Sequence, residues 1–335
     1  MKLVERIIKE RYVQMDVIEK QKLIKVIKDK FERKLAKQLD LTRVSAPLLV
    51  TKESGLQDDL SGVERRVSFD ILKDGRELEI VQSLAKWKRM ALKKYDFPIH
   101  KGLYTDMTAI RRDDKVDETH SIYVDQWDWE KVITKEDRTV DYLQSTVKKI
   151  VKAIADTSAL LKLKGFKSVD ICRDVHFITS QELLDMYPET TDKEREYLIT
   201  KEYKTVFIMG IGHDLSDGKP HDMRAPDYDD WSLDGDLLFY HETLDMALEI
   251  SSMGIRVDKE SLMKQIEKSG KQERLQYAYH KAILEDKLPL TIGGGIGQSR
   301  LCMLLLGRAH IGEVQASYWD EETLKECEEA HIELL

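Results

Sequence analysis

A glycine-rich stretch near the carboxyl end of the sequence constrains the fold more than any other feature. Residues 293–297 read Gly-Gly-Gly-Ile-Gly, followed by Arg300 and the apolar residues 301–306. We predict a tight turn, in which glycine permits positive φ angles, that opens a helix. The free N–H groups and partial positive charge at a helix start favour an anion such as a nucleotide phosphate. The alternative is a strand-to-helix turn that binds nothing.

Two common nucleotide-binding patterns do not fit this stretch. The dinucleotide-binding fingerprint requires a β-α-β unit, and none follows these glycines. The stretch also lacks the Lys-Ser or Lys-Thr ending of a P-loop. None of the nine histidines forms a recognisable triad or zinc pattern with Cys or Ser. We therefore exclude hydride-transferring dehydrogenases and P-loop nucleotide-binding proteins.

The composition limits the class of protein. The chain has 335 residues, enough for a large core, and no apolar run approaches the roughly 20 residues of a membrane span. The net charge of −8 argues against a surface that tracks nucleic acid, although it permits a local cationic pocket. Cys172, Cys302 and Cys327 are too few and scattered for a disulfide framework or a zinc site. Because residues 1–9 predict no secretory signal, we expect a reduced, cytoplasmic setting.

Periodic patterns predict the first elements. Residues 1–40 are expected to be helical, with an apolar stripe facing the core that consists of Leu23, Ile27, Phe31, Leu35 and Leu39. Residues 43–50 contain Pro47 and are expected to be extended, at a sheet edge or a subunit border. Residues 66–72 and 77–82 flank a Lys-Asp-Gly turn and are expected to form a hairpin.

The rest of the chain alternates strands with helices. We predict helices at 83–94 and 139–163, a loop at 211–232, and two further helices before the glycines. Strands are expected at residues 103–111, 120–132, 175–179, 205–210, 236–240 and 247–251. Neighbouring strand pairs with helices between them favour an α+β fold, with an antiparallel sheet flanked by helices.

Two arginines are candidates for binding phosphates. Arg111 ends a predicted strand before a polar loop, and Arg300 lies about one turn into the helix after the glycines. A guanidinium group can hold a phosphate through two parallel hydrogen bonds. Two such groups on one sheet would neutralise charge on a triphosphate attacked at its α-phosphorus. Arg111 taken alone is more often a surface residue, so the pairing carries the argument.

Other charged residues suggest two more subsites. Asp236 and Glu249 lie on neighbouring predicted strands, and two carboxylates facing one cleft suit Mg²⁺, which shares oxygen ligands with phosphates. The alternative is a pair of solvated acids at strand ends. Lys88 and Arg256 could together hold a carboxylate of a substrate, although a lysine on a charged helix is usually only solvated.

Polar loops could complete a pocket. Asp58 lies between Gly55 and Gly62, where it could close over a bound molecule. Residues 227–231 read Asp-Tyr-Asp-Asp-Trp, and their acids could hold an ammonium group or form an acidic loop without a ligand. Ser83 lies at the start of the predicted helix that follows the hairpin.

The order of these features resembles motifs 1, 2 and 3 of class II aminoacyl-tRNA synthetases, namely a helix before Pro47, a strand ending in Arg111, and glycines before Arg300. Over essentially its full length the sequence resembles the aspartate–ammonia ligase family, the ammonia-dependent asparagine synthetases. The matching stretches are residues 57–62, 83–89, 123–130, 176–177, 216–218, 224–232, 249–257 and 291–301. Several of them are rich in Trp and Asp, so chance is a poor explanation.

Two departures from the family are visible. The segment between Trp231 and Gly235 is shorter than expected, which should affect only a loop tip. Gln82 stands where some members have His. It is expected beside the substrate pocket, where it could alter the contacts of Asp58 or Ser83.

The resemblance implies a fold and a reaction. We expect a single catalytic domain over residues 1–335, with the helical segment 1–40 packed on its core. Its sheet should have six or more antiparallel strands, as in the class II synthetase catalytic core. A homodimer should form partly through the Pro47 region. L-Aspartate, ATP and ammonia should give L-asparagine, AMP and pyrophosphate through β-aspartyl-AMP, with Mg²⁺ present and with neither nucleic acid nor membrane as a partner.

The resemblance also implies a role for each candidate residue. Catalysis is assigned to Asp58 as the favoured base for ammonium, Arg111 on the α-phosphate, and Gln126 on the reacting acyl group. Lys88 and Arg256 should hold the carboxylate that does not react. The full aspartate-binding set is Ser83, Lys88, Asp128, Asp229, Ser251 and Arg256. The ATP-binding set is Arg111, Gly293, Gly294, Gly295 and Arg300, and the metal pair is Asp236 and Glu249.

Two rival functions remain at this stage. An aspartyl- or asparaginyl-tRNA synthetase would use the same sheet, but it needs a tRNA-reading domain, and no stretch resembles one. A non-catalytic paralogue would usually have lost the motif arginines or the metal acids, and this sequence keeps them. A glutamine-dependent asparagine synthetase would need an amino-terminal catalytic cysteine, whereas the first cysteine is Cys172.

Overall fold

The computed structural model of the chain describes residues 3–60 and 64–335. Ser61 and Gly62, which end the matching stretch 57–62, lie outside the described residues. The helices are α1 Leu3–Arg6, α2 Val17–Leu39, α3 Ala85–Lys94, α4 Val140–Leu163, α5 Ser180–Met186, α6 Asp192–Tyr203, α7 Lys259–Lys268, α8 Ala278–Leu284, α9 Gln298–Leu306 and α10 Glu321–Glu329. The strands are β1 Leu41–Arg43, β2 Leu49–Val50, β3 Ser68–Asp70, β4 Glu77–Ile80, β5 Gly102–Ile110, β6 Tyr123–Val132, β7 His176–Thr179, β8 Thr205–Met209, β9 Asp229–His241, β10 Met246–Arg256 and β11 Thr291–Gly297.

A large central sheet organises the fold, and it confirms the predicted α+β class. Eight strands lie in the order β1-β5-β6-β11-β10-β9-β8-β7. The pairings are antiparallel except at the two edges, where β1 pairs with β5 and β7 with β8 in parallel. The predicted hairpin, β3 with β4, joins β2 in a small second sheet. Its turn contains Gly75 at a φ of 68°, a conformation that glycine adopts without strain.

One face of the central sheet packs against α2, α4 and α9 and forms the main core. The predicted apolar stripe of α2 is at most 1% exposed, and its Phe31 ring lies 4.8 Å from the Trp127 ring on β6. Side chains alternate across a strand. Because Trp127 and Trp129 face the helices, the polar residues that alternate with them along β6 face the opposite side of the sheet. These residues are Gln126, Asp128 and Glu130.

The amino-terminal helix is shorter than predicted. The prediction covered residues 1–40, but α2 begins at Val17 and residues 7–16 are not helical. The carboxylate of Asp16 accepts hydrogen bonds from the N–H groups of Ile18 and Glu19. This cap supplies partners that a helix start otherwise lacks, and it fixes where the helix begins.

The glycines form a strand, so the predicted turn is wrong. Residues 293–297 belong to β11, which lies between β6 and β10, and none of them has a positive φ. The helix does follow at once, since α9 begins at Gln298. Glycine is needed here for close packing: a Cβ on Gly294 would lie 2.5 Å from the Cβ of Met253, and one on Gly295 would lie 2.3 Å from Oε1 of Gln126.

Two other boundaries differ from the prediction. The loop predicted to end at residue 232 ends earlier, because β9 begins at Asp229. The short segment between Trp231 and Gly235 is therefore part of a continuous strand rather than a loop tip.

No helix among the described residues is long and apolar enough to cross a membrane.

Candidate active site

The open face of the central sheet carries a cavity of about 670 Å³. Strands β6, β10 and β11 contribute to its floor, and the loops after β5 and before β9 contribute to its walls. Most of the predicted site residues line it, namely Asp58, Ser83, Lys88, Arg111, Gln126, Asp128, Asp229, Glu249, Gly294, Gly295, Arg256 and Arg300. Residues that are distant in the sequence are thus brought together by the sheet.

Ser251 does not line the cavity, contrary to the prediction. The pairing of β10 with β9 shifts register between Glu249 and Ser251, and such a bulge changes which side chains face each side of a sheet. Ser252 lines the cavity instead. The hydroxyl of Ser251 is buried, and no hydrogen-bond partner for it occurs in the described part of the chain.

Gly293 lies behind a lining side chain rather than in the cavity wall. A Cβ at this position would lie 2.7 Å from Nη2 of Arg256. The absence of a side chain therefore makes room for the Arg256 guanidinium. Gly293 was predicted to bind ATP, and in the structure it lies outside the cavity lining.

The buried pair of Lys88 and Asp128 lies at one end of the cavity. Their side chains are 1% and 4% exposed and form an ion pair. Lys88 Nζ also donates to the carbonyl oxygen of Gly294 over 3.1 Å, and Asp128 Oδ2 accepts from the N–H of Leu84 over 3.2 Å. Burial lowers the pKa of Lys88, although the Asp128 charge opposes that shift. The pair therefore presents a desolvated cation that a second carboxylate could share.

Arg256 is held by two carboxylates beside this pair. It forms an ion pair with Asp229, and its Nε and Nη2 each lie 3.2 Å from Oε2 of Glu130. Burial raises the pKa of Asp229, and the Arg256 charge opposes the shift. Arg256 and Asp229, predicted separately as ligands of the substrate, are bonded to each other. Glu130 was missed, although its alternation with Gln126 and Asp128 along β6 could have indicated it.

Asp58 is a buried carboxylate whose two oxygens are both hydrogen-bonded. Ser83 Oγ donates to Oδ2 over 2.6 Å, and the N–H of Leu60 donates to Oδ1 over 2.8 Å. Gln57 Oε1 accepts from the N–H groups of both Asp58 and Gln82. The side chain of Gln57 therefore ties the Asp58 loop to the start of the segment that carries Ser83.

Gln82 itself lies behind the cavity wall. Its side chain is fully buried, and neither amide atom has a hydrogen-bond partner in residues 3–60 and 64–335. Its carbonyl oxygen accepts from Nε of Arg111 over 3.3 Å. Gln82 thus contacts the site through its backbone, which any residue at this position would supply.

Arg111 and Arg300 give the cavity its cationic end. Arg111 directly follows β5 and is half-buried. Arg300 lies in the first turn of α9, where Nε donates to the carbonyl oxygen of Thr119 over 3.3 Å and Nη1 to that of Glu249 over 3.2 Å. Both guanidinium groups line the cavity. Both can contribute positive charge to an anion bound in the cavity, and their binding of phosphates stays a prediction.

Of the predicted metal pair, Glu249 lines the cavity next to Arg300, whereas Asp236 is buried and does not line it. The two carboxylates are nevertheless linked electrostatically. Burial, followed by the negative charge of Glu249, raises the pKa of Asp236 to about 7, against the opposing charge of Arg224. Asp236 forms an ion pair with Arg224 but keeps its Oδ1 without a described hydrogen-bond partner. Among the described residues no group of three or more His, Cys, Asp or Glu side chains could hold a metal ion. Of this pair Glu249 is the carboxylate that faces the cavity, where it can offer an oxygen to a cation that takes other ligands from phosphates and water.

The acidic stretch 227–231 divides into separate roles. Asp227 is fully buried and outside the cavity, and it pairs with Lys86 at 2.9 Å, Arg274 at 3.0 Å and His280 at 2.9 Å. Asp230 pairs with Arg138 at 2.7 Å. Only Asp229 of the three acids lines the cavity. Arg224, from the matching stretch 224–232, also lines it and was not assigned a role from the sequence.

Comparisons of the sequence with known proteins identify relatives over nearly the whole chain. A family model described as aspartate–ammonia ligase matches residues 18–331. The aspartate–ammonia ligase of Clostridium tetani is 56% identical over 335 residues, covering 99% of this chain and 98% of that protein. The one from Bacillus cytotoxicus is 57% identical over 321 residues, covering 96% and 98%.

Solved structures of similar fold are class II synthetases. The asparaginyl-tRNA synthetase of Entamoeba histolytica, in complex with asparaginyl-adenylate, aligns with a TM-score of 0.67 at 15% identity, covering 91% of this chain and 68% of that one. The Pyrococcus horikoshii asparaginyl-tRNA synthetase with the same ligand gives a TM-score of 0.62 at 15% identity, covering 89% and 68%. At these identities the likeness shows the fold alone, and it confirms the predicted class II core.

Proposed function

The chain belongs to the aspartate–ammonia ligase family, and on that basis we propose that this ligase joins ammonia to the β-carboxylate of L-aspartate to make L-asparagine. ATP drives the reaction through β-aspartyl-AMP, and AMP and pyrophosphate are released. The observation that carries the proposal is one cavity that joins the guanidinium groups of Arg111 and Arg300 to the buried acids Asp58, Asp128 and Asp229.

Aspartate binds at the end that contains Lys88 and Arg256. Its α-carboxylate shares these two cations with the carboxylates that hold them in the structure, Asp128 and Asp229. Its ammonium group then forms an ion pair with the carboxylate of Asp229. Because these side chains are already fixed by each other, substrate binding need not order them, which lowers the entropic cost of binding.

The first step forms the adenylate. A β-carboxylate oxygen of aspartate attacks the α-phosphorus of ATP, a bond forms between them, and the bond to the β-phosphate oxygen breaks to release pyrophosphate. Arg111 neutralises charge that develops at the α-phosphate, and Arg300 binds the outer phosphates. Gln126, on the floor between the two ends, orients the reacting carboxylate.

Mg²⁺ belongs with the ATP in this reaction. Asp236 and Glu249 would hold it, and the ion would supply further neutralisation of phosphate charge. Burial, with the added negative charge of Glu249, raises the pKa of Asp236, which supports this assignment because a bound cation would favour the charged form.

The second step transfers the acyl group to ammonia. Ammonium first loses a proton to Asp58. The ammonia nitrogen then attacks the acyl carbon, the bond between that carbon and the AMP oxygen breaks, and the nitrogen releases a second proton to the departing AMP phosphate or to water. Ser83 Oγ already donates to Asp58, which leaves the carboxylate placed to accept a proton from a donor in the cavity. The amide product carries the same backbone groups as aspartate and leaves with AMP.

The proposal extends to how the protein works in the cell. We expect one catalytic domain over residues 1–335 that acts in the cytoplasm as a homodimer, joined partly through the region of Pro47. That region follows the edge strand β1, and an edge strand leaves unpaired backbone groups for a partner. Nucleic acid and membrane have no part in the reaction.

The test supplies the purified protein with Mg-ATP, L-aspartate and ammonium, with and without tRNA. Asparagine, AMP and pyrophosphate should form in equal amounts, only with ammonium, and regardless of tRNA. Heavy oxygen placed in the β-carboxylate should appear in the phosphate of AMP, because the adenylate bond joins that oxygen to phosphorus.

The outcomes separate the alternatives. Formation of ADP and phosphate, or AMP without heavy oxygen, would refute the adenylate route while leaving a ligase. Turnover that depends on tRNA would place the protein with the synthetases whose fold it shares. No turnover under any of these conditions would favour a non-catalytic paralogue.

A further inference from the structure

A second cavity, here called the rear cavity, lies apart from the active site. It has a volume of about 270 Å³ and shares no lining residue with the first cavity. Its lining comes from the ends of β9 and α9 and from the segment before β7. The residues that matter below are Val169, Cys172, Phe239, His241 and Leu304.

His241 is a buried polar group in the lining of the rear cavity. Its side chain is 1% exposed, and neither ring nitrogen makes a well-formed hydrogen bond among the residues that the structure describes. Burial lowers the pKa of His241 to about 4, although interactions of the ring with the backbone of Met303 and of His241 itself oppose the shift. The imidazole is therefore neutral near pH 7. Its N–H group can donate to these backbone oxygens, which leaves the other ring nitrogen as an acceptor for a ligand.

The other polar groups of the rear cavity already have partners. The hydroxyl of Thr205 donates to the carbonyl oxygen of Cys172 over 2.9 Å, and that of Thr243 donates to Gly307 over 3.2 Å. The ammonium group of Lys204 lies 4.0 Å from the centre of the Tyr240 ring. His241 is thus the group left to bind something that enters.

We propose that the rear cavity binds a small uncharged molecule that has an apolar body and one hydroxyl group, separately from aspartate and ATP. The hydroxyl group bonds to His241, and the body packs on Val169, Phe239 and Leu304. A hydroxyl group in the cavity supplies the hydrogen bond that the acceptor nitrogen of His241 otherwise lacks. The imidazole is neutral, and the charged lining residues Asp170, Glu242 and Lys204 already interact with Lys162, Arg11 and the Tyr240 ring, which favours an uncharged ligand. This inference does not depend on the reaction proposed above.

Cys172 provides a built-in reporter, because it lines the rear cavity and is only half-buried. The two other cysteines, Cys302 and Cys327, are buried, and burial raises the pKa of each thiol to about 12. Since the thiolate is the reactive form, iodoacetamide should modify Cys172 first. A molecule in the rear cavity should slow that modification.

The experiment uses para-fluorophenol as the probe with the full-length protein. Fluorine NMR gives its Kd, and mass spectrometry gives the rate of alkylation at each cysteine. We expect saturable binding, slower alkylation of Cys172 alone, and the same Kd in the presence of saturating aspartate and AMP. No binding, unchanged alkylation of Cys172, or displacement by aspartate or AMP would each overturn the proposal.

Two variants locate the site. His241→Leu should raise the Kd of the probe by about 3- to 10-fold, because that is the effect of losing one neutral hydrogen bond. Val169→Trp should abolish protection of Cys172 by filling the rear cavity. Thermal unfolding checks that each variant folds. Should His241→Leu not fold, Val169→Trp decides, and a probe that still protects Cys172 in that variant refutes the site.

Discussion

Replacing Lys88 by methionine should separate the stabilising role of this residue from its proposed role in binding aspartate. The Lys88 and Asp128 side chains are 1% and 4% exposed, so Lys88→Met leaves a buried carboxylate without its cation. Removing one partner of a buried ion pair costs about 3–5 kcal/mol. Against a total stability of about 5–15 kcal/mol for a folded domain, the free energy of unfolding should fall by a large fraction.

The double variant Lys88→Met with Asp128→Asn should recover much of that loss. The asparagine side chain carries no charge, and its oxygen can still accept from the N–H of Leu84. The hydrogen bond from Lys88 to Gly294 stays lost, at a cost of about 1 kcal/mol. We therefore expect the double variant to be about 2–3 kcal/mol more stable than Lys88→Met alone, while both variants lose asparagine synthesis.

Urea unfolding followed by tryptophan fluorescence measures the stabilities, since Trp127 and Trp129 are buried in the core next to this pair. Asparagine formation at saturating ATP and ammonium measures the activity. A double variant as unstable as Lys88→Met would refute the view that the uncompensated charge causes the loss. A double variant with normal KM for aspartate would refute the binding role of Lys88.

Three further predictions concern the phosphate end and the floor of the cavity. Arg111→Ala should lower kcat for asparagine formation by about 100- to 1000-fold with little change in the unfolding midpoint, and a normal rate would remove Arg111 from the α-phosphate. Gly295→Ala should lower kcat by about 100-fold, because the new Cβ would lie 2.3 Å from Oε1 of Gln126; steady-state kinetics would disprove this if kcat stayed normal. The raised pKa of Asp236, about 7, means that the folded state binds a proton between about pH 4 and pH 7 that the unfolded chain releases, so stability should fall as pH rises through this range. Urea unfolding at several pH values should show this slope in the natural protein and lose it in Asp236→Asn, whereas Glu249→Gln should move it to lower pH.

Local chemistry explains which elements could be predicted from the sequence. The hairpin formed by β3 and β4 has a Lys-Asp-Gly turn, and α4 has a long amphipathic pattern with Thr139 capping its start. Both signals lie within a few neighbouring residues. The start of α2 at Val17 was missed, because the apolar stripe says little about residues before the Asp16 cap.

The candidate site was predicted mainly from its resemblance to a family, and the structure shows which of the similar residues in one stretch line the cavity. Ser251 was chosen where Ser252 lines the cavity, because a bulge in β10 cannot be seen in a single sequence. Asp227 and Asp229 look alike in the sequence, yet only Asp229 lines the cavity. Which face a side chain takes depends on strand register, and register is set by distant partners.

The sequence by itself determined the α+β class, most element positions, the family, and the set of charged residues from which the site is built. Only the tertiary structure decided which of those charged residues form ion pairs with each other. Arg256 is held by Asp229 and Glu130, and Lys88 by Asp128. The tertiary structure also decided that the glycines form a strand. Side chains at these positions would collide with Gln126, Arg256 and Met253, which pack closely against them. Such contacts join residues far apart in the chain, and burial then fixes which pairs form because an unpaired buried charge is costly.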